Sequence, residues 1–155
     1  MSLKGIVARQ YRELVNQAEP QLRHLQVPRE GWIATVRKAL GMSGAQLARR
    51  LGLTRARVSQ MENAEPTGSV TLKSMQAAAE AMNCRFVYAI IPAGGSIETL
   101  LTDHARKKAE ALVKRASQHM ALENQALRQE SHNQEIDRLA RELLENPPAD
   151  FWEEA

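Results

Sequence analysis

The strongest constraint on the fold of this chain is the spacing of small and apolar residues in the window 44–63. Two short helices that cross closely and meet in a tight turn need a small residue at the crossing. They also need a residue that tolerates a left-handed backbone at the turn. Counted from Gly44, the fifth residue is Ala48 and the ninth is Gly52. The positions that must seal a shared core are all apolar: Leu47, Leu51, Leu53, Val58 and Met61.

The second of these helices is expected to begin after Thr54, whose hydroxyl can accept a hydrogen bond from the free amides of the first turn. With Val58 and Met61 facing the core, its opposite face presents four residues: Arg55, Ala56, Ser59 and Gln60. Such side chains read base edges in the major groove, where Arg pairs with guanine and Gln with adenine. The alternative is a helical hairpin of another α-helical protein. The complete set of spacings favours a helix-turn-helix.

A second group of residues is predicted to contact the DNA backbone, which positions a protein without reading sequence. Its members lie at the starts and sides of the two helices: Ser43, Arg49, Arg50, Thr54 and Arg57. The charge distribution agrees, since residues 28–92 carry nine Lys/Arg and four Asp/Glu, whereas residues 93–155 carry eight and twelve. A basic middle part favours phosphate backbones. An ordinary solvated surface is the alternative explanation of the same asymmetry.

The pattern along the chain predicts a mainly α-helical protein of three parts. Residues 1–27 are expected to form an N-terminal helical extension, residues 28–92 a DNA-binding domain, and residues 93–155 a C-terminal helical extension for dimer or partner docking. Residues 84–91 are rich in β-branched and aromatic side chains, which predicts one short strand. A lone strand needs a partner, so pairing across the two-fold axis of a homodimer is expected. Such a dimer would bind a palindromic operator.

The role of residues 93–155 is left open by their sequence. One long helix is predicted from Ser96, and a second is predicted to begin at a capping box at 131–134. The alanine-rich stripe of this region is explained either by packing within the protein or by docking of a partner. Phe151 and Trp152 are the candidate docking residues, because Trp is enriched among interface hot spots. The alternative is that both rings fold back onto this protein.

No enzymatic site is recognised in the sequence. It contains no glycine-rich phosphate loop, nucleophile elbow, paired catalytic carboxylates or metal-ligand spacing of histidines. We therefore expect no catalysis, no cofactor and no metal. The single cysteine, Cys84, fits a reducing compartment. Since neither an export signal nor an apolar run of membrane-spanning length is visible, the expected location is the cytoplasm, in association with the nucleoid.

Residues 32–82, together with the predicted strand, resemble the Xre/Cro family of helix-turn-helix repressors. The resemblance implies a five-helix DNA-binding core. By position it also implies a partly buried ion pair between Arg37 and Glu62 with a structural role. It implies a contact of Asn63 with the DNA backbone as well. Many members of the family have Gln where this chain has Gly44. A phosphate contact from that side chain is therefore missing here, and only backbone amides can replace it.

A narrower resemblance, to the family called mobile mystery protein A, covers nearly the whole chain. It is carried by PREGWI at 28–33, TLKS at 71–74, AIIP at 89–92, HMALE at 119–123 and NPP at 146–148. Proteins of that family are encoded beside a Fic-domain protein, which implies a repressor that autoregulates an operon with a Fic-domain partner. The alternative is an antitoxin-like protein that mainly sequesters the partner, with DNA binding secondary. The chain lacks the full Ser/Thr-x-x-x-Glu-Gly/Asn motif of known Fic inhibitors, which argues against simple blocking of an active site.

Overall fold

A computed structural model describes residues 2–117 and 125–154, and these ranges contain seven α-helices and no β-strand. The helices are α1 (Leu3–Leu22), α2 (Trp32–Ala39), α3 (Gly44–Leu51), α4 (Arg55–Thr67), α5 (Leu72–Ala81), α6 (Ile97–Ser117) and α7 (Gln125–Glu145). The prediction of a mainly α-helical protein is confirmed. The segment 119–123, which contributes to the narrower family resemblance, lies outside the described residues.

The helices divide into two compact units. The central unit comprises His24–Ala89 and contains α2 to α5. The helical unit comprises Met1–Arg23 and Ile90–Ala155 and contains α1, α6 and α7. From sequence the two ends of the chain are expected to be separate extensions, whereas the contacts of α1 with α6 make them parts of one unit. In chain order, the central unit is an insertion into the helical unit.

The central unit is built on one apolar core to which all four of its helices contribute. The buried members are Ile33, Leu47, Ala48, Val58, Met75, Ala78 and Met82. Leu51 and Met61 pack partly buried against this cluster, as the spacing in the window 44–63 predicts. Leu53 differs, because its position in the motif predicts burial in the core, whereas its side chain is 41% exposed.

The five-helix count implied by the family resemblance is corrected to four in the central unit. The last part of α4 continues through residues 64–67 to Thr67, whose Oγ1 donates a hydrogen bond to the carbonyl of Ala64 (2.9 Å). Gly68 then ends the helix with a left-handed φ of 78°. Residues 55–81 therefore form two helices.

The strand predicted over residues 84–91 is not present, and residues 84–92 have no regular secondary structure. A strand is stable only when a neighbour supplies its backbone hydrogen bonds, and the described part of this chain contains no such neighbour. Phe86 packs partly buried against the central core and stacks on Tyr88, with ring centroids 5.8 Å apart. Ile90, in contrast, is 91% exposed.

The helical unit has its own core between α6 and α7. Its buried members are Ala105, Ala109, Val113, Ile136, Ala140, Leu143 and Phe151. The alanines allow the two helices to approach closely. The helix start predicted at 131–134 is wrong, because α7 already begins at Gln125. Residues 125–130 are mostly good helix formers, so the helix extends past the capping motif.

A set of polar contacts joins α1 to the start of α6. The side-chain oxygen of Asn16 accepts a hydrogen bond from the backbone N–H of Ile97 (2.9 Å), and its amide nitrogen donates to Glu98 (2.7 Å). Arg12 lies 3.8 Å from the same carboxylate. The backbone N–H at the start of α6, the Asn16 amide and Arg12 hold the pKa of Glu98 below its ordinary value. Ser96 accepts from the N–H of Thr99 (3.2 Å) and caps α6 as predicted.

The segment after α7 folds back onto α6. Phe151 is only 3% exposed, and its carbonyl oxygen lies 2.5 Å from Nε2 of His104. The buried Lys108 donates through Nζ to the carbonyl oxygens of Asp150 and Glu153. A buried ammonium is costly unless it is hydrogen-bonded, so these two carbonyls compensate for its burial.

Candidate nucleic-acid interface

The turn between α3 and α4 has the geometry that the spacing of the window predicts. Gly52 closes α3 with a φ of 68°, in the left-handed region that glycine adopts without a steric penalty. The N–H of Leu53 donates to the carbonyl of Ala48 (2.9 Å), which ties the turn to the small residue at the helix crossing. The backbone is thereby redirected so that α4 begins three residues after the glycine.

Side-chain caps define the starts of both helices of the motif. Thr54 accepts a hydrogen bond from the N–H of Arg57 (3.1 Å), which confirms its predicted role as the N-cap of α4. Ser43 accepts from the N–H of Gln46 (3.1 Å), and the Gln46 side chain accepts from the N–H of Ser43 (2.7 Å). This reciprocal pair is a capping box. It satisfies two backbone N–H groups at the start of α3 within the protein.

The outer face of α4 carries the four residues predicted to read bases. Val58 is buried on the inner face, with 1% of its surface exposed. The four residues on the other side are all exposed: Arg55, Ala56, Ser59 and Gln60. The guanidinium of Arg57 lies 3.4 Å from Oε1 of Gln60 and donates to it. This contact turns the amide –NH₂ of Gln60 away from Arg57, so that it remains available as a donor.

The six residues predicted to contact phosphates are also exposed: Ser43, Arg49, Arg50, Thr54, Arg57 and Asn63. Their environments differ. Arg50 donates through Nε to the carbonyl of Ala81 at the end of α5, so this side chain also anchors α3 to α5. Ser43 and Thr54 use their oxygens as caps, and each hydroxyl keeps a proton to donate. Arg50 therefore has a structural contact that its sequence position did not indicate.

The ion pair implied by the family resemblance is present between α2 and α4. Arg37 contacts both carboxylate oxygens of Glu62, through Nε and through a second nitrogen at 3.2 Å. Its third nitrogen donates to the carbonyl of Met42 (2.9 Å), just before α3. The hydrogen bond to Glu62 raises the pKa of Arg37 above its ordinary value, so the guanidinium stays charged. A bidentate pair of this kind fixes orientation as well as distance.

Glu65 is a residue of the site that the sequence pattern did not reveal. Its carboxylate accepts hydrogen bonds from the backbone N–H groups of Trp32 (2.5 Å) and Ile33 (2.9 Å), at the start of α2. Gly31 makes room for it: a Cβ at that position would lie 2.7 Å from the Glu65 carboxylate carbon, and its φ is 88°. The carboxylate thus caps α2 from a distant helix. The sequence indicates one part of this arrangement, because Glu65 follows Glu62 by three residues and a helix therefore places both carboxylates on one side of α4.

The two residues predicted to dock a partner lie in different environments within the helical unit. Phe151 belongs to the core of that unit and is not exposed to a partner. Trp152 is 61% exposed and stacks on His104, with ring centroids 4.5 Å apart. Both rings therefore contact this protein, as in the alternative interpretation of the sequence, but Trp152 keeps most of its surface exposed.

Comparison with known proteins identifies the central unit. Residues 33–88 match the family model described as "HTH_3: Helix-turn-helix", so this part of the chain is a helix-turn-helix domain of the Xre type. Domains of this kind occur in DNA-binding transcription regulators. The comparison does not extend to the mobile mystery protein A family. No curated protein and no solved structure matches the chain.

Residues 2–117 and 125–154 contain neither a membrane-spanning helix nor a cluster of metal-binding side chains. None of the helices there combines the length and the apolar character needed to cross a bilayer. In the same ranges, no three His, Cys, Asp or Glu side chains are grouped so that they could hold a metal ion.

Proposed function

We propose that this protein is a sequence-specific, double-stranded DNA-binding transcriptional repressor that inserts α4 into the major groove. The observation that carries the proposal is the two-sided character of α4 within a helix-turn-helix domain. Its inner face is anchored by a buried valine and two carboxylates, and its outer face exposes Arg55, Ser59 and Gln60. A rigidly held helix with an exposed polar face is what direct readout of bases requires.

The chemistry of the outer face supports specific pairings. The forked guanidinium of Arg55 suits O6 and N7 of guanine, and the amide of Gln60 suits N6 and N7 of adenine. The methyl group of Ala56 suits apolar contact with a thymine methyl. Arg49 and Arg57 are assigned to phosphates, which hold the protein in register on the duplex.

The proposal includes a homodimer on a palindromic operator. Two recognition helices would then lie about 34 Å apart, one turn of DNA. Val87 and Ile90 lie at the surface of the segment 84–91, which supports pairing with the same segment of a second copy. That pairing would supply the hydrogen-bond partner that the segment lacks in a single chain. The repressor is expected to act in the cytoplasm on nucleoid DNA.

A second candidate function is binding of a Fic-domain partner through the helical unit, with autoregulation of a shared operon or antitoxin-like sequestration as the outcome. Support comes from the family resemblance and from exposed Trp152 beside His104. Trp152→Ala tests it. We expect it to weaken co-purification with a Fic-domain protein encoded in the same operon and to leave DNA binding unchanged. Undiminished co-purification would remove Trp152 from the docking surface.

Selection from a random double-stranded DNA library by the full-length protein tests DNA binding and needs no known operator. We expect a palindromic motif to be enriched, and the Arg55→Ala variant to lose about 1–3 kcal/mol of binding free energy and one specified base pair. Arg9→Ala, a matched loss of an exposed arginine in α1, is the control and should bind normally. The absence of any enriched sequence at low salt would refute the proposal.

A further inference from the structure

The outward face of α1 is mostly uncharged, although it lies in solvent, and Lys4 and Glu13 lie only at its margins. Its large apolar members are exposed, with Leu3 at 78%, Tyr11 at 67% and Leu14 at 64%, and Ile6 and Val7 are at about 40%. An exposed helix face normally carries charged residues. Contiguous apolar surface on one helix face indicates an interaction site rather than scattered surface residues.

The exposed residues along the centre of this face follow a heptad pattern. Leu3, Gln10 and Gln17 repeat at intervals of seven, and so do Val7, Leu14 and Gln21. The two series interleave at spacings of four and three, so they form one continuous seam. The opposite side of the helix carries Gly5, Arg12 and Glu19. These three residues share one heptad position and are partly or fully buried. The seam therefore faces directly away from the helix side that packs in the unit.

We propose that this seam pairs with the same seam of a second copy as a parallel, in-register two-stranded coiled coil. In that arrangement every layer joins identical residues, Leu3 with Leu3 and Val7 with Val7. Glutamine carries both donors and an acceptor, so Gln10 and Gln17 can each pair with their own copies. The fully overlapping antiparallel arrangement would instead oppose Leu3 to Gln21, Val7 to Gln17 and Gln10 to Leu14, which leaves a polar amide against an apolar side chain in every layer.

The residues that flank the seam also fit a second copy. In a parallel pair, the residue that precedes Val7 or Leu14 in one helix meets the residue five positions further along in the other helix. Ile6 then meets Tyr11, and Glu13 meets Ala18, so no like charges are opposed. The charged residues of α1 lie outside the seam: Lys4, Arg9, Arg12, Glu13 and Glu19. This inference deepens the proposed homodimer, but it does not depend on the segment 84–91 or on DNA.

Disulfide cross-linking in solution tests the register directly. In a full-length Cys84→Ser background, which removes the exposed native thiol, Val7→Cys is expected to form a cross-linked dimer on mild oxidation. Arg9→Cys, two residues away and outside the seam, is the matched control and should stay uncross-linked. If Val7→Cys links only to added Gln17→Cys protein, the helices are antiparallel and the proposed register is overturned. Absence of both products overturns the pairing itself.

Sedimentation equilibrium without DNA supplies a second measurement. Leu14→Lys should raise the dimer dissociation constant at least tenfold, and circular dichroism should be unchanged because the side chain is exposed in a single chain. Gln10→Leu should lower the constant, since it replaces a polar layer by an apolar one. A folding defect would not strengthen association. If Gln10→Leu leaves the constant unchanged, the seam is not an interface. These measurements concern association without DNA, so they would stand even if Arg55→Ala had no effect on DNA binding.

Discussion

The exposed helices α4 and α1 differ in what they present and in how they are held. The outer face of α4 is polar and basic, and the helix is fixed by a buried valine, by the Arg37–Glu62 pair and by the Glu65 cap on α2. The seam along the outward face of α1 is uncharged, and the polar anchors described for α1 converge on the first turn of α6. The difference indicates two kinds of interface. A rigid polar face suits base readout, whereas an uncharged heptad seam suits a protein helix.

The core of the central unit is expected to be the most sensitive part of this arrangement. Leu47 is fully buried, and Leu47→Ala should destabilise the unit by about 2–5 kcal/mol through lost burial and the cavity that remains. Denaturant unfolding with DNA binding as a parallel readout measures the effect. Leu40→Ala, at a 53% exposed position, is the control. If both variants unfold alike, the core as described does not hold α4.

Loss of the Glu65 cap should have the next largest effect. Glu65→Ala leaves the N–H groups of Trp32 and Ile33 without the carboxylate, which should cost about 1–3 kcal/mol. Glu65→Gln keeps an acceptor oxygen and should cost less. Thermal unfolding and DNA affinity of both variants measure the two roles. Equal stability of Glu65→Ala and the unmodified protein would remove Glu65 from the set of residues that hold α4.

The contact between α1 and α6 should be weaker. Asn16→Ala removes the cap on Ile97 and the hydrogen bond to Glu98, and a lost helix cap costs about 1 kcal/mol. Hydrogen exchange of the amides in the first turn of α6 measures the change, with Arg9→Ala, an exposed position of α1 outside the seam, as the control. Faster exchange in both variants would show that the effect is not specific to this cap.

The smallest effect concerns pH. The pKa of Glu98 is lowered from its ordinary value of 4.5 by the backbone N–H, by Asn16 and by Arg12. The stabilisation that ionised Glu98 gives the folded protein is therefore present above about pH 4.5. It is lost as the pH falls through the lower pKa of the folded state. Acidification below that value should loosen α1 from α6. Glu98→Gln should remove this pH dependence of hydrogen exchange in α6, and a dependence that persists would assign it to another carboxylate.

The turn, the helix cap and the buried face of the motif could be predicted from the sequence, because each depends on residues that lie close together in the chain. The turn at Gly52, the cap at Thr54 and the inward Val58 follow from one window of spacings, since helix periodicity and backbone sterics act over a few residues. The Arg37–Glu62 pair was accessible only through the family resemblance, because 25 positions separate its members. The exposed face of α4 follows from the same periodicity.

The sequence by itself therefore determined the helix-turn-helix and the residues on its outer face. Tertiary structure alone decided that Glu65 caps α2, that the N-terminal helix joins α6, and that Phe151 is buried while Trp152 is not. It also decided that residues 84–91 form no strand in a single chain. The physical reason is common to all four. Each depends on whether a distant group supplies a hydrogen bond or an apolar surface, and local propensity contains no information about that partner.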